Sequence, residues 1–286
     1  MRLATAQLAD GRIIWGPVVA DRLADVSLRW HTPADMIEDS IDAIGRAAIT
    51  EAAEGSESIP LDELTMLPPN PNPARIICVG VNYADHAAES DRAAEAPGHP
   101  VIFTRFASSL VGHLQPVERP GVSHQFDWEG ELAVVIGRPT HRVARDDALG
   151  RVAGYSCFMD GTLRDWQRHT SQFTPGKNFD RSGSWGPSIV TADEISDPGS
   201  LVLSTIVDGE VVQHASTADM IHDVAAIVSY CSTFTTLEPG DVIATGTPGG
   251  VGFARSPQRW LEPGSDVRVV ISSIGTLANP VVDEPA

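Results

Sequence analysis

Leu132-Ala133-Val134-Val135-Ile136-Gly137 is an uninterrupted small and apolar run entered directly from Asp127-Trp128-Glu129-Gly130-Glu131. Side chains alternate across a strand, which assigns Asp127, Glu129, Glu131, Ala133 and Val135 to one face and Trp128, Leu132, Val134 and Ile136 to the other. Past Glu131 both faces are apolar, the signature of a strand covered on both sides. Carboxylates entering such a strand do not stay there as bare charges, because burying an unpaired ion is very costly. The segment holds no Lys or Arg, so a divalent metal is the simplest partner. Oxygen-only donors suit Mg²⁺, Mn²⁺ or Ca²⁺ better than Zn²⁺. The alternative is an edge strand whose Glu residues face water and pair with distant Arg.

The 286 residues are enough to bury a large core, and 42% hydrophobic with 20% charged residues describes a globular chain rather than a disordered one. A formal net charge of −18 argues against nucleic acid and anionic membrane as partners. It leaves a small anionic substrate open, since a bound cation inverts the local field. No apolar run is long enough to span a bilayer, and the N-terminus meets Asp10 and Gly11 before any signal-peptide core forms. Cys78, Cys157 and Cys231 are widely spaced in apolar surroundings, as buried reduced thiols of a cytoplasmic protein would be.

Residues 1–70 read as a distinct unit. Strand-like runs at Leu3–Leu8, Arg12–Val19 and Ala24–Trp30 precede a helical pattern from Pro33 to Ala53, with Thr32 as N-cap and Gly55 as stop. No acid–base cluster occurs there, so the unit is expected to be scaffold or interface. Four prolines between Leu67 and Pro73 form a linker. Beyond it the pattern is strand-rich: Ile76–Val81, Val101–Phe106, Leu132–Gly137, Val152–Phe158, Ser188–Thr191, Leu201–Val207, Val242–Thr245 and Asp266–Ile271, with one helix over Thr217–Phe234. Strands do not alternate with long helices, and no GxGxxG or P-loop pattern occurs, which argues against a doubly wound nucleotide-binding sheet.

Four constellations carry chemistry. Asp160 ends an apolar strand, and on a following helical turn it would share a face with Arg164 and Gln167; a surface Asp–Arg pair is the simpler alternative. His86 and Glu89 are three residues apart, so Glu89 can orient the imidazole and make His86 a general base for water; an incidental His on an Ala-rich turn is the alternative. Lys177 in Pro175-Gly176-Lys177-Asn178 is either an oxyanion donor or a solvated loop residue. Thr247 lies in Gly246-Thr247-Pro248-Gly249-Gly250, which offers backbone N–H groups and a hydroxyl to an anion, or is simply a tight turn.

The order of Ile77-Cys78-Val79-Gly80-Val81-Asn82-Tyr83 with His86 and Glu89, Phe106-Ala107-Ser108-Ser109-Leu110-Val111-Gly112, Asp127-Trp128-Glu129-Gly130-Glu131, Arg164-Asp165-Trp166-Gln167, Gly176-Lys177-Asn178-Phe179-Asp180, Gly186-Pro187 and Gly246-Thr247-Pro248 resembles the fumarylacetoacetate hydrolase family over residues 74–282. The resemblance implies an α+β, β-rich fold, a mixed β-sandwich roll at 74–286 with a small N-terminal α/β appendage, assembled as a homodimer. It implies a Mg²⁺ or Mn²⁺ site at Glu129, Glu131 and Asp160, a water-activating His86–Glu89 dyad on a segment that orders over substrate, and donors to substrate or oxyanion at Lys177, Arg164 and Gln167. Thr247 becomes a contact to the substrate carboxylate.

The family's substrates are 2-keto and β-diketo acids, including acylpyruvates from aromatic catabolism. The leading reaction is C–C hydrolysis of an acylpyruvate-like substrate through an enolate. The alternatives are decarboxylation or isomerisation of an oxaloacetate-like or 2-hydroxydienoate substrate, and a non-catalytic relative that kept the pocket. The chain departs from the family pattern at Met159 and at Gly161-Thr162-Leu163, beside Asp160, which leaves the substrate and reaction type unassigned. Ser90–Pro100 is expected to contribute to a lid.

Overall fold

A computed structural model describes residues 1–89 and 98–285. Most of the expected lid segment, residues 90–97, therefore lies outside the described residues. The fold is a mixed β-sandwich roll with a small N-terminal appendage. Its largest sheet has twelve strands, and at its centre Gly130–Ile136 lies between Val152–Met159 and Val242–Ala244, antiparallel to both. Val242–Ala244 then pairs in parallel with Ile76–Gly80, whose other neighbour, Val101–Thr104, closes one edge. A second sheet orders Glu210–Ser216, Val202–Val207, Asp266–Ile271, Gly275–Asp283 and Val117–Arg119.

The double cover expected for the central strand is present. Leu132, Val134 and Ile136 pack into one core with Leu203, Val269 and Ile271 of the second sheet and with Ile227 of helix Val224–Phe234. Ala133 and Val135 face the opposite way, into a core with Trp185 and with Met36, Ile37 and Ile49 of the N-terminal helices. The N-terminal segment thus supplies the second layer. Its first strand, Arg2–Gln7, hydrogen-bonds into the large sheet beside Gly183–Thr191. The proline linker is pinned as well: Thr5 Oγ1 donates to Pro69 O at 2.7 Å, and Asn70 Nδ2 donates to Gly240 O at 3.0 Å.

The strands Glu210–Ser216 and Gly275–Asp283 were not expected from sequence, and three expected elements differ, each for a local reason. The expected helix from Pro33 to Ala53 is two helices, Pro33–Asp39 and Ala43–Glu54. Asp42 accepts from the N–H groups of Ile44 and Gly45 and starts the second. Gly45 permits the sharp corner, since a Cβ there would lie 1.8 Å from Asp39 O. The strand expected over Ala24–Trp30 stops at Ala24, because Asp25 Oδ1 accepts from Ser27 N and turns the chain. The helix expected from Thr217 starts at Val224, capped by Asp223, after a short 3₁₀ turn at Thr217–Asp219. Among the described residues no helix is long and apolar enough to cross a membrane.

Candidate metal centre and active site

Strand register builds the site. Gly130 pairs with Met159, so the start of one strand meets the end of its antiparallel neighbour, and Glu129, Glu131 and Asp160 converge there. Asp160 N donates to Glu129 O at 2.8 Å across the junction. Gly130 is required by the packing, since a Cβ would lie 2.1 Å from Thr205 Oγ1 in the second sheet. Glu129, Glu131 and Asp160 are buried, and one carboxylate oxygen from each lies within 4.8 Å of the others.

Cations far away in sequence complete the cluster. Lys177 Nζ lies 2.6 Å from both Glu129 Oε2 and Asp160 Oδ2. It sits on the short helix Thr174–Lys177 and is 1% exposed, which excludes the solvated-loop alternative. Arg164 reaches Asp127 Oδ2 and Glu129 Oε1, each at 2.7 Å. Arg105 Nη1 binds Asp160 Oδ1 at 2.5 Å and donates to Gly161 O at 3.0 Å, while its other nitrogens donate to Ser109 and Ser182. Four buried carboxylates (Asp127, Glu129, Glu131, Asp160) therefore face three buried cations (Arg105, Arg164, Lys177).

The excess negative charge falls on Glu131. Burial, together with the Asp160 and Glu129 carboxylates, pushes it well above the usual carboxylate range, although Gly246 N donates to its Oε2 at 2.8 Å. Burial also raises Glu129, but Lys177 and Arg164 outweigh it and hold that carboxyl at about 2. Burial lowers Lys177, and the Asp160 and Glu129 charges overcome it, so the ammonium is raised and stays protonated. A dication fits this arrangement. The donors are three hard carboxylates, the oxygen-only set that Mg²⁺ or Mn²⁺ prefers, and Glu131 is the group short of positive charge. Glu129, Glu131 and Asp160 would hold it.

A cavity of about 310 Å³ opens over the triad, lined by Glu129, Glu131, Lys177, Arg164, Gln167, Thr247 and His86 together with Val79, Phe103, Phe173 and Phe253. Helix Ala84–Glu89 carries the dyad, with His86 Nδ1 3.3 Å from Glu89 Oε2. The other oxygen, Glu89 Oε1, accepts from Gly250 N at 2.7 Å and ties the dyad to the glycine loop. Asn82 supports both pieces by donating to Thr245 O and accepting from His222 N. Gly246, at φ +102°, passes so close that a Cβ would meet Asn82 Cβ at 2.7 Å. Thr247 is buried, and its hydroxyl donates to Gly130 O while accepting from Gln213 Nε2.

Every expected site residue lines this cavity except Glu89, which contacts it through His86, and Asp160, which contacts it through Lys177. Two details are corrected. Asp160 does not share a helical face with Arg164, because Thr162–Leu163 forms a short strand between them; Asp160 pairs with Arg105 and Lys177 instead. Asp127 does not continue the face of Glu129 and Glu131. It lies in a separate strand, Phe126–Asp127, and accepts from Gly252 N, Phe253 N and Arg164 Nε.

Arg105 and Gln213 were not found from sequence. Gln213 fastens Gly130 N, Thr247 and Pro248 with one buried amide, but a lone Gln within a strand carries no local signal. The departures beside Asp160 prove to be packing. Met159 and Leu163 join the main core, and Gly161 admits Ser182 O, which a Cβ would meet at 1.9 Å.

Comparison with known proteins agrees with this geometry. The Fumarylacetoacetate (FAA) hydrolase C-terminal family matches residues 75–282. The mitochondrial oxaloacetate tautomerase fahd2 of Xenopus laevis is 40% identical over 245 residues, covering 84% of this chain and 76% of the frog protein. Fumarylacetoacetate hydrolase from psychrophilic Exiguobacterium antarcticum superposes with a TM-score of 0.84 at 36% identity, covering 99% of this chain and 100% of that one. Maleylpyruvate hydrolase from Sphingobium sp. SYK-6, solved in complex with manganese(II) ion and pyruvate, gives a TM-score of 0.81 at 33% identity, with both chains covered in full. The shared fold, together with a family match spanning most of the chain, makes this protein a member of the fumarylacetoacetate hydrolase family of enzymes.

Proposed function

We propose that the chain is a divalent-metal-dependent enzyme that interconverts or decarboxylates an oxaloacetate-like 2-keto acid through its enolate, with keto–enol isomerisation as the first activity. The observation that carries this reading is one cavity lined by Glu129 and Glu131 of an all-oxygen acidic triad and by His86 of a His–Glu pair. The likeness to the frog oxaloacetate tautomerase supports the substrate class.

When bound, Mg²⁺ or Mn²⁺ supplies Lewis acidity toward the 2-keto and carboxylate oxygens. The protein's own groups do the rest. His86, oriented by Glu89, removes a proton from the carbon next to the ketone. The Lys177 ammonium, held charged by Glu129 and Asp160, stabilises the oxygen on which negative charge develops. Protonation of that oxygen gives the enol; the reverse path returns the proton to carbon. In decarboxylation the distal carboxylate leaves as CO₂, and protonated His86 delivers a proton to the same carbon.

A second reading, C–C hydrolysis of an acylpyruvate, is favoured by the dyad and by the neighbouring maleylpyruvate hydrolase. There His86 would take a proton from water, and the hydroxide would add to the distal carbonyl with Arg164 and Gln167 facing the oxyanion. Collapse of that adduct would break the C–C bond, releasing the acyl part as a carboxylic acid and the pyruvate enolate, which takes the proton back from His86. Following enol absorbance, pyruvate and CO₂ from oxaloacetate and from acylpyruvates, with Mg²⁺ or Mn²⁺, tests both readings. Pyruvate formed from acylpyruvates, with no accelerated change in oxaloacetate, would replace the first reading by the second.

A further inference from the structure

We propose that Arg168, at the cavity mouth, binds the distal carboxylate of the substrate and tunes the pocket to 2-keto dicarboxylates; this deepens the isomerase reading and rests on it. The other cations facing the cavity are already engaged by buried carboxylates: Lys177 by two and Arg164 by two. Arg168 is different. Among the described residues it forms no ion pair, it is exposed, and it lines the same cavity. Its guanidinium sits over the Phe253 ring, with Cζ 4.0 Å from the centroid.

Arg164 approaches that same ring, with Cζ at 5.9 Å. Its Nη2 is buried without a hydrogen-bond partner, so a donor is missing an acceptor on this side of the cavity. The ring is held in place, because Asp127 accepts from the N–H groups of Gly252 and Phe253 and from Arg164 Nε. One buried carboxylate therefore fixes an aromatic wall with an arginine that has a free donor at its inner end and, at its outer end, one without an ion pair among the described residues. A substrate whose keto-acid end meets the acidic triad would extend its far end along this wall. A carboxylate there gains charge-assisted hydrogen bonds that an uncharged group does not.

The test compares oxaloacetate with the ester that caps its distal carboxylate, read as enol–keto conversion with Mg²⁺ present. In Arg168→Gln the ratio of kcat/KM for the diacid to that for the ester should fall about 30-fold, the scale of a lost charge-assisted contact. Arg168→Lys should recover part of the ratio, and added salt should shrink it in the wild type. An unchanged ratio in Arg168→Gln would overturn the assignment while leaving the functional reading intact. A wild-type enzyme inactive on both compounds would remove the functional reading, and this inference with it.

Discussion

The two ends of this molecule are built from the same material and held together differently. The N-terminal sheet and its hairpin pack Ala4, Ala6, Ile14, Leu23, Ile59 and Met66 into a small wholly apolar cluster. The active-site end buries seven ionisable side chains within a few ångströms of one another. Apolar burial stabilises in proportion to area. Buried ion pairs roughly break even against the cost of leaving water. The first region therefore adds stability with the apolar area it buries, and the second spends stability on a field shaped for a cation and an anionic substrate.

Metal removal should break that contrast most severely. Exhaustive chelation should lower turnover by at least about a thousandfold, on the scale expected of lost Lewis-acid stabilisation, and added Mg²⁺ or Mn²⁺ should restore it; full activity after chelation ends the metal assignment. His86→Ala should cost about 10²–10⁴ in the proton-transfer step with metal affinity unchanged. Measuring acylpyruvate hydrolysis, enol–keto conversion and oxaloacetate decarboxylation in that variant sets decarboxylation apart, because the first two need a base and decarboxylation can proceed without one.

Glu131→Gln should weaken metal affinity by about 100-fold or more. It should leave the metal-free protein as stable or more so in a thermal melt, because it removes a carboxyl whose ionisation is disfavoured by burial and by the Asp160 and Glu129 charges. An unchanged dissociation constant would show that Glu131 is not a ligand. Leu23→Ala, at the apolar end, should do the converse: lose about 2–5 kcal/mol of stability and keep kcat. A fall in kcat there would mean that the two regions are coupled. The smallest effect is a control. Burial pushes the Cys157 and Cys231 thiols up to about 12, so iodoacetamide at pH 8 should label neither until the protein unfolds.

The same division explains what could be read from the chain. The central strand was legible because alternation is local: Leu132, Val134 and Ile136 separate from Ala133 and Val135 as the pattern requires. Its cover was not, since nothing in the sequence joins Ile49 to Val135. The acidic residues, the dyad, Arg164 and Lys177 stood out as motifs, whereas Arg105 and Gln213 did not. Arg105 lies 55 residues from Asp160, and Gln213 lies 83 from Gly130; only the assembled sheets create those contacts. Asp127 misled for a related reason. Period-two counting assumes one continuous strand, and the chain breaks between Asp127 and Gly130.

The bond from Gly250 N to Glu89 has a consequence for evolution and design. Half of the general-base pair is oriented by a main-chain amide, a donor present in any non-proline residue and therefore not removable by ordinary substitution. Only moving the loop can disturb it, and Gly250 has little room to move: at φ +102° a Cβ would come within 2.2 Å of Val212 O. Substitution at a position with no functional group should thus quiet the histidine by shifting the loop that orients Glu89 from the side of the second sheet.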